Sequence, residues 1–544
     1  MEHSEEEQAQ PSTSGSALVA SMNNKVPSQP NSFKEAMSAP DSHLWKIAMH
    51  EEYGSLISNG VWELVDLPPE RKPVGSKWVF TIKRDSSGAI ERYKARLVAK
   101  GFTQRYGVDY FETYSPTASL STIRLLLAAA MQKGYYVDQY DIKTAYLNGR
   151  MPEDEVVYMV QPEGFVAPGL EHKVCKIVRS LYGLKQSGRC WYIRFAEAMK
   201  SQHMERCKSD ACVFVIECDG ATGIIIVYVD DLAAIASTQK MRKKLKSILE
   251  KEFQVHCLGP ISHMLGIHFT RDAEGSLCLD QTNYIRNKIL PRFKMEECNA
   301  VAMPAIPGSK PPEKEQVDPS YPLRELVGML SYVANGTRPD ITFAVNSLAQ
   351  KASKPTQDDW NAGKRILRYL KGTADKKLVF KPNASKLEIF ADASHADDTF
   401  DRRSTSGIVA TFGGIPVMWR SNKQQTVSLS SMESEYKALS QATQECLWMR
   451  GLLQETKFVD PVETVPIYTD STAARDHAVN YVERRRTKHI DTIYHFVRDH
   501  IDQKDIAISH VPTEMNKADI LTKALASPRH GSLTQSLNVL SVSI

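Results

Sequence analysis

The sharpest feature in the pattern of apolar and polar positions lies at 224–236, where two apolar runs of strand length flank the adjacent acids Asp230 and Asp231. Such runs predict a buried β-hairpin whose tight connection carries both carboxylates. Nearer the start, Phe33, Ala36, Trp45, Ala48, Met49 and Leu56 recur at helical intervals up to the stop signal Asn59-Gly60. Residues 77–83 and 90–99 then read as two strands joined by Asp85-Ser86-Ser87-Gly88. Alternation in the second strand puts Arg92, Lys94 and Arg96 on one face and Tyr93, Ala95 and Leu97 on the other. That basic row is either a solvated outer face or a grip for a triphosphate or phosphodiester backbone. A second acidic strand is expected over 135–147, closed by Asn148-Gly149, with Asp138 and Asp141 on opposite faces. Ser180 to Arg189 is a Gly-flanked polar and basic loop, of a kind that cradles a base pair or phosphate, leading into a helix-like run at 191–199.

In the second half, 323–333, 341–348 and 360–370 carry helical apolar spacing. The cations Lys364, Arg365 and Arg368 of the third run serve either its C-terminus or a phosphate backbone. From 387 the pattern becomes strand-like. The strand at 387–391 delivers Asp392, a hairpin turns through Gly413-Gly414 to Trp419, and a helix is expected from Ser430 to about Leu453. At 100° per residue, Glu435 shares a face with Ala438, Leu439, Ala442, Cys446 and Met449, whereas Glu433 lies with Lys437, Ser440 and Gln444. Glu435 is therefore the one expected to face the core. A strand at 465–469 ends in Asp470, and Asn516-Lys517-Ala518-Asp519 supplies a late acid. The basic string from Arg484 to His489 either follows a nucleic-acid backbone or is a solvated approach to a helix.

Composition changes this picture little. The 544 residues are 42% apolar and 24% charged, with a net charge of +4 that leaves nucleic-acid binding to be decided by local placement. Nine scattered cysteines without any Cys-x-x-Cys pair indicate neither a disulfide framework nor a zinc knuckle, and fit a reducing compartment. Residues 1–31 are too polar to bury a core and read as a tail. The absence of a signal-like start or a long apolar run predicts an intracellular, non-membrane protein. Adjacent carboxylates in an apolar setting repel and lose hydration, a cost that bound Mg²⁺ relieves, so the pair is either a Mg²⁺ site or an ordinary polar hairpin turn.

Four strings in fixed order carry a resemblance: Arg92 to Gly101, Asp141 to Gly149, Leu181-Tyr182-Gly183-Leu184-Lys185-Gln186, and Tyr228-Val229-Asp230-Asp231. Together they closely resemble the reverse transcriptase of copia-type LTR retrotransposons, with coverage from about Phe33 to Leu525. The resemblance implies an α+β fold: a right-hand polymerase of fingers, palm and thumb, followed by a connection and an RNase H-like α/β domain. It divides the chain into a disordered tail (1–31), fingers and palm (32–270), thumb and connection (271–385), RNase H-like domain (386–525) and C-terminal tail (526–544). It also implies that Asp141, Asp230 and Asp231 bind two Mg²⁺ or Mn²⁺ ions, with Lys94 and Arg96 on the triphosphate. Gly183, Lys185, Gln186 and Tyr228 complete the substrate side, and 264–267 resembles the primer grip. Tyr146 resembles the gate against a ribose 2′-hydroxyl. Its odd spacing from Asp141 requires the chain to turn after about Lys143.

Asp392, Glu435, Asp470 and Asp519 resemble an RNase H site with its own pair of ions. Departures are Gly188 in place of Pro, His256 and Met264 in place of Lys and Phe, and no His at the place before the last acid. His256 remains able to protonate a leaving pyrophosphate near neutral pH. The implied activity is RNA-directed DNA synthesis with RNase H cleavage. The alternatives are a non-catalytic nucleic-acid-binding remnant and RNase H activity alone. The implied partners are an RNA template, a DNA or tRNA primer, RNA–DNA hybrid and deoxynucleoside triphosphates, with integrase or a second copy of the chain as further candidates and no membrane. The implied place is the cytoplasm, in virus-like particles, with nuclear entry.

Overall fold

Pro40 interrupts the first helical pattern. Phe33–Ser38 and Ser42–Ser58 are separate helices, because proline withholds an N–H and pushes the residue before it out of the helical region. Their apolar faces nevertheless bury as the spacing predicts. Ala36, Trp45, Ala48, Met49 and Leu56 form one core with Trp78 and Phe80 of the strand Ser76–Arg84 and Ala95 and Leu97 of Ile90–Ala99. Trp45 meets Phe80 and Tyr93 edge-on, with ring centroids 5.1 and 4.6 Å apart.

The structure, a computed structural model, describes residues 29–542 apart from 85–88, 309–315, 382–385, 399–400, 460–462 and 481–490. The N-terminal tail up to residue 28, the 85–88 turn and the basic string at 484–489 lie outside the described residues. The backbone groups into two compact units: residues up to Tyr114 with Tyr146–Trp191, and Ser115–Ala145 with Tyr192 onward. The first holds the helices and hairpin above and a small antiparallel sheet of Trp62–Val65, Val174–Ile177 and Tyr158–Met159.

Among the described residues the second unit contains three sheets. One is a six-stranded antiparallel sheet in the spatial order Val255–Pro260, Tyr136–Ile142, Asp231–Ala236, Ala221–Tyr228, Val213–Cys218, Glu205–Arg206. The acidic strand expected over 135–147 thus stops at Ile142. Thr144 adopts a positive φ of 51° and Ala145–Asn148 is a 3-10 turn, so the chain does bend where the Tyr146 argument required it. A second sheet runs His263–Met264, Ile267–Arg271, Leu277–Asp280, Lys376–Phe380, Val539–Ser541. Its last strand corrects the expected C-terminal tail. Ser527–Ser536 is a helix, and Val539–Ser541 pairs with Lys376–Phe380, because Leu533, Leu537 and Val539 find buried positions there.

The helices Leu323–Gly336, Thr342–Ala349 and Gln357–Gly372 pack around Ile285, Ile289 and Leu290. At their base Arg338 and Asp340 form a fully buried ion pair, 2.7 Å apart, which the Tyr369 hydroxyl joins at 2.7 Å. Of the three cations considered for a phosphate backbone, Arg368 donates to the Asn299 carbonyl at 2.7 Å. The third sheet has the order Ile415–Lys423, Thr405–Phe412, Leu387–Ser394, Val465–Thr469, Ile506–His510. Its first two pairings are antiparallel and its last two parallel, and the helix Ser431–Glu455 packs on its face. The fold class is α+β. Among the described residues no helix is long and apolar enough to cross a membrane.

Candidate active sites

The first acid centre is built by strand register. Ala221–Tyr228 and Asp231–Ala236 pair with Tyr228 opposite Asp231, leaving Val229-Asp230 as a two-residue turn whose first position has a φ of 57°. A β-branched residue rarely adopts that conformation, so the flanking strands must hold it. The return strand pairs on its other side with Tyr136–Ile142, and Asp231 stands directly opposite Asp141. The Ile142 N–H donates to the Asp230 carbonyl at 2.9 Å, which closes the third acid onto the same strand end. On the far side of Asp141, His256 is its partner in the edge strand Val255–Pro260. Carboxylates distant in sequence are thereby brought to one edge. Burial first, then the charges of Asp230 and Asp141, push the Asp231 carboxyl up to about 6. Asp138, on the opposite face, is buried and paired with Arg242 at 2.7 Å, a structural role that removes it from this centre.

The expected substrate residues in the first compact unit form a group of their own. Alternation along Ile90–Ala99 is observed, with Ala95 and Leu97 buried and Lys94 and Arg96 half-buried. Burial, followed by the neighbouring Arg96, Arg92 and Lys83, lowers the Lys94 ammonium. The Arg96 guanidinium stands over the Tyr182 ring at 5.2 Å, and Tyr146 meets that same ring edge-on at 4.9 Å. Tyr182 thus links two residues that were singled out separately. Gly183 has a φ of 94°, and a Cβ there would stand 2.2 Å from the Ala99 carbonyl, so only glycine lets the loop pack on the end of the basic strand. Gln186 is buried, accepting from Gln104 at 3.0 Å and donating to the Asp109 carbonyl at 2.9 Å, which places it inside the loop as its brace. Lys185 is exposed, its ammonium 5.4 Å from the Tyr110 ring centre.

The second centre is deeper. The strands Leu387–Ser394 and Val465–Thr469 are parallel neighbours, so Asp392 and the following Asp470 emerge at the same edge. The helix Ser431–Glu455 adds Glu435, and ligand oxygens of these three acids lie within 4.8 Å of one another. Among the described residues this is the tightest such group of three or more potential ligands. Burial first, and the charges of Asp392 and Asp470 after it, push Glu435 up to about 9. Burial likewise raises Asp392 to about 6, against a hydrogen bond from the Thr522 hydroxyl. The Glu435 Oε2 is buried without a hydrogen-bond partner. Hard oxygen donors this close, one of them an orphan, fit a divalent cation of the Mg²⁺ type.

The fourth expected acid, Asp519, is buried beside this group but outside its tight core. Its carboxylate is engaged by Lys523 and, at 3.3 Å, by Arg529. Burial would lower the Lys523 ammonium, but Asp519, Asp392 and Asp470 outweigh it and hold it charged. Sequence reasoning missed Thr522, Lys523 and Arg529. The signal available was their spacing after Asp519, three and four residues on for the first two. The helical-face argument separates the two glutamates by partner but not by depth: Glu433, expected on the outer face, is buried at 4% exposure because it folds into the helix start, and Glu435 is only half-buried. Glu435 enters the acid group, while Glu433 pairs with Lys437 at 2.8 Å and accepts the Leu429 N–H at 2.9 Å. With the Ser430 hydroxyl accepting from the Glu433 N–H at 3.2 Å, Glu433 belongs to the helix cap.

Residues 59–307 match the family model described as reverse transcriptase (RNA-dependent DNA polymerase). The chain is 38% identical over 507 residues to a retrovirus-related Pol polyprotein from transposon TNT 1-94 of Nicotiana tabacum, covering 91% of this chain and 38% of that one. It is 35% identical over 519 residues to the corresponding polyprotein from transposon RE2 of Arabidopsis thaliana, covering 94% and 35%. The chain therefore spans little more than a third of the length of these curated relatives. A solved structure of a foamy viral protease-reverse transcriptase in complex with double-stranded DNA is similar at a TM-score of 0.46 and 12% identity, covering 86% of this chain and 70% of that one.

Proposed function

For a chain that belongs to the reverse transcriptase family of copia-type transposon Pol polyproteins, we propose an RNA-directed DNA polymerase that copies retrotransposon RNA into DNA and cleaves the RNA strand of the hybrid. The observation that carries this reading is the presence of two separate carboxylate centres in one chain, one at a hairpin turn and one at a parallel strand edge.

Asp141, Asp230 and Asp231 would hold divalent cations for polymerisation, and Asp392, Glu435 and Asp470, with Asp519 alongside, would hold them for cleavage. Bound there, such ions supply the positive charge that in-line displacement at phosphorus needs. The remaining work falls to side chains of the chain itself. Lys94 and Arg96 present cations to the triphosphate, and Tyr182 keeps the Arg96 guanidinium in place through its ring face. His256, the register partner of Asp141, would give a proton to the departing pyrophosphate. Tyr146, steadied edge-on by Tyr182, packs against the sugar and leaves no room for a 2′-hydroxyl. In the second centre Lys523 and Arg529 hold Asp519 in place.

The partners that follow are an RNA template, a DNA or tRNA primer, RNA–DNA hybrid and deoxynucleoside triphosphates. Nine free thiols agree with a reducing, cytoplasmic setting. The reading is tested by primer extension on poly(rA) with an oligo(dT) primer and Mg²⁺, run beside cleavage of end-labelled RNA in a hybrid. Mg²⁺-dependent extension and cleavage are expected. Nucleic-acid binding with neither activity would identify a non-catalytic remnant instead.

A further inference from the structure

A cavity of about 460 Å³, lined by none of the acids of either centre though Ser421 stands two strands across from Asp392 in register, opens between the helix Leu120–Gln132, the helices Leu323–Gly336 and Thr342–Ala349, and the strand Ile415–Lys423. All four elements belong to one compact unit. Arg124 forms part of its wall and is only 4% exposed. The Arg124 Nε donates to the Val417 carbonyl at 2.9 Å, Nη1 donates to the carbonyls of Asn335 and Gly336, and the guanidinium lies 3.8 Å from the Trp419 ring centre. Asn335 and Gly336 end their helix, so part of this arrangement is a cation serving a helix C-terminus.

That structural role leaves the charge unbalanced. Among the described residues no Asp or Glu lines the cavity, and the other cation on its wall, Arg420, is already paired with Glu445. Among the described residues the hydrogen bonds of Arg124 run from Nε and Nη1 and leave Nη2 without one. Burial alone, with no acid acting on it, draws the guanidinium down to about 9. Two further groups lining the same cavity are buried and unpartnered, the hydroxyls of Thr342, 8% exposed, and Ser421, 5% exposed. Buried polar atoms rarely go unsatisfied, and a buried charge is rarer still without a counter-charge. Two orphaned hydroxyls and one guanidinium without a counter-charge line the same space.

We infer that this cavity is a binding site for a small organic phosphate, whose oxyanion is held by Arg124 Nη2 and the hydroxyls of Thr342 and Ser421. A bare oxyanion would leave most of the volume empty, and the size falls within the roughly 300–1,000 Å³ typical of small-molecule sites. Asn335, Asn346 and Asn422 line the remainder and suit a polar body such as a sugar or base. The ligand would bridge the helix that follows Ser119 to the outer strand of the Asp392 sheet, tying together segments that lie far apart in the chain.

The test uses the full chain in EDTA, so that the acid centres cannot recruit a nucleotide through a cation. AMP, inorganic phosphate and adenosine serve as probes, followed by thermal shift and titration calorimetry. AMP should bind at one site per chain and raise Tm, inorganic phosphate should bind more weakly, and adenosine should not bind. Arg124→Lys should weaken AMP binding by about tenfold or more, since it removes the fork that donates to the oxyanion. Because Arg124 also supports a helix end, Thr342→Val and Ser421→Ala are the decisive variants. Each removes a hydroxyl that has no partner in the free protein, so the ligand-free Tm should stay level or rise while AMP binding falls several-fold. The inference is overturned if neither AMP nor inorganic phosphate binds. It is equally overturned if adenosine binds as well as AMP, or if the Thr342 and Ser421 variants bind AMP as the parent does.

Discussion

The two acid centres solve one problem, gathering carboxylates, at different depths. Asp141, Asp230 and Asp231 are all half-exposed at a strand end and a turn, so water shares the cost of their mutual repulsion. Asp392 and Asp519 are buried, Glu435 is pushed up to about 9, and the chain supplies Lys523 as a cation of its own. The shallow centre can exist ionised in water. The deep one is a set of charges that the fold tolerates only with protons, Lys523 or a bound cation.

The largest expected effect comes from removing a charge at the deep centre. Asp392→Asn should lower hybrid cleavage by on the order of 1,000-fold, because it deletes a ligand from the tightest group, and should leave primer extension near the parental rate. A comparable fall in extension would mean that the two centres are not independent. For the polymerase activity, Tyr146→Val should raise ribonucleotide incorporation relative to deoxyribonucleotide by about tenfold or more while extension persists. Unchanged selectivity in an active variant would place the sugar gate elsewhere.

Depth also sets the response to pH. Without divalent cations, Glu435 in the folded chain, at about 9, and Asp392, at about 6, keep protons that the unfolded chain releases. Stability should therefore fall as pH rises from near the ordinary glutamate value of 4.5 towards about 9, with Asp231 adding only below about 6. Thermal melts in EDTA should show Tm declining over that range, by on the order of 5 °C, and Mg²⁺ should flatten the decline. Melts that are flat in EDTA, or that rise with pH, would contradict a Glu435 that keeps its proton in the folded chain. The smallest effect belongs to Glu433→Gln, which should lose about 1 kcal/mol of stability through the helix cap and keep cleavage.

The contrast also explains what could be read in the sequence. The Asp230-Asp231 hairpin was legible because its signal is local: two apolar runs, a two-residue turn and alternation. That Glu435 and Glu433 part company was legible because helical geometry separates them within two residues, but their depth was not, since the burial of Glu433 depends on Lys437 and the Leu429 N–H. Residues whose roles depend on distant partners were not legible. Gln186 braces a loop through Gln104 and Asp109, Asp138 is taken by Arg242, and Lys523 answers charges from three elements. The C-terminal strand was missed for the same reason, since three residues signal a strand only once the edge of Lys376–Phe380 is known to be open. The first helix was over-extended because apolar spacing outweighed Pro40.

The most direct test of two independent centres is a paired assay on Asp230→Asn and Glu435→Gln. Primer extension and RNA cleavage would be measured for each variant on the same RNA–DNA substrate with Mg²⁺. The account predicts that Asp230→Asn abolishes extension and keeps cleavage, and that Glu435→Gln keeps extension and abolishes cleavage. Loss of both activities in either well-folded variant, or parental extension by Asp230→Asn, would contradict it.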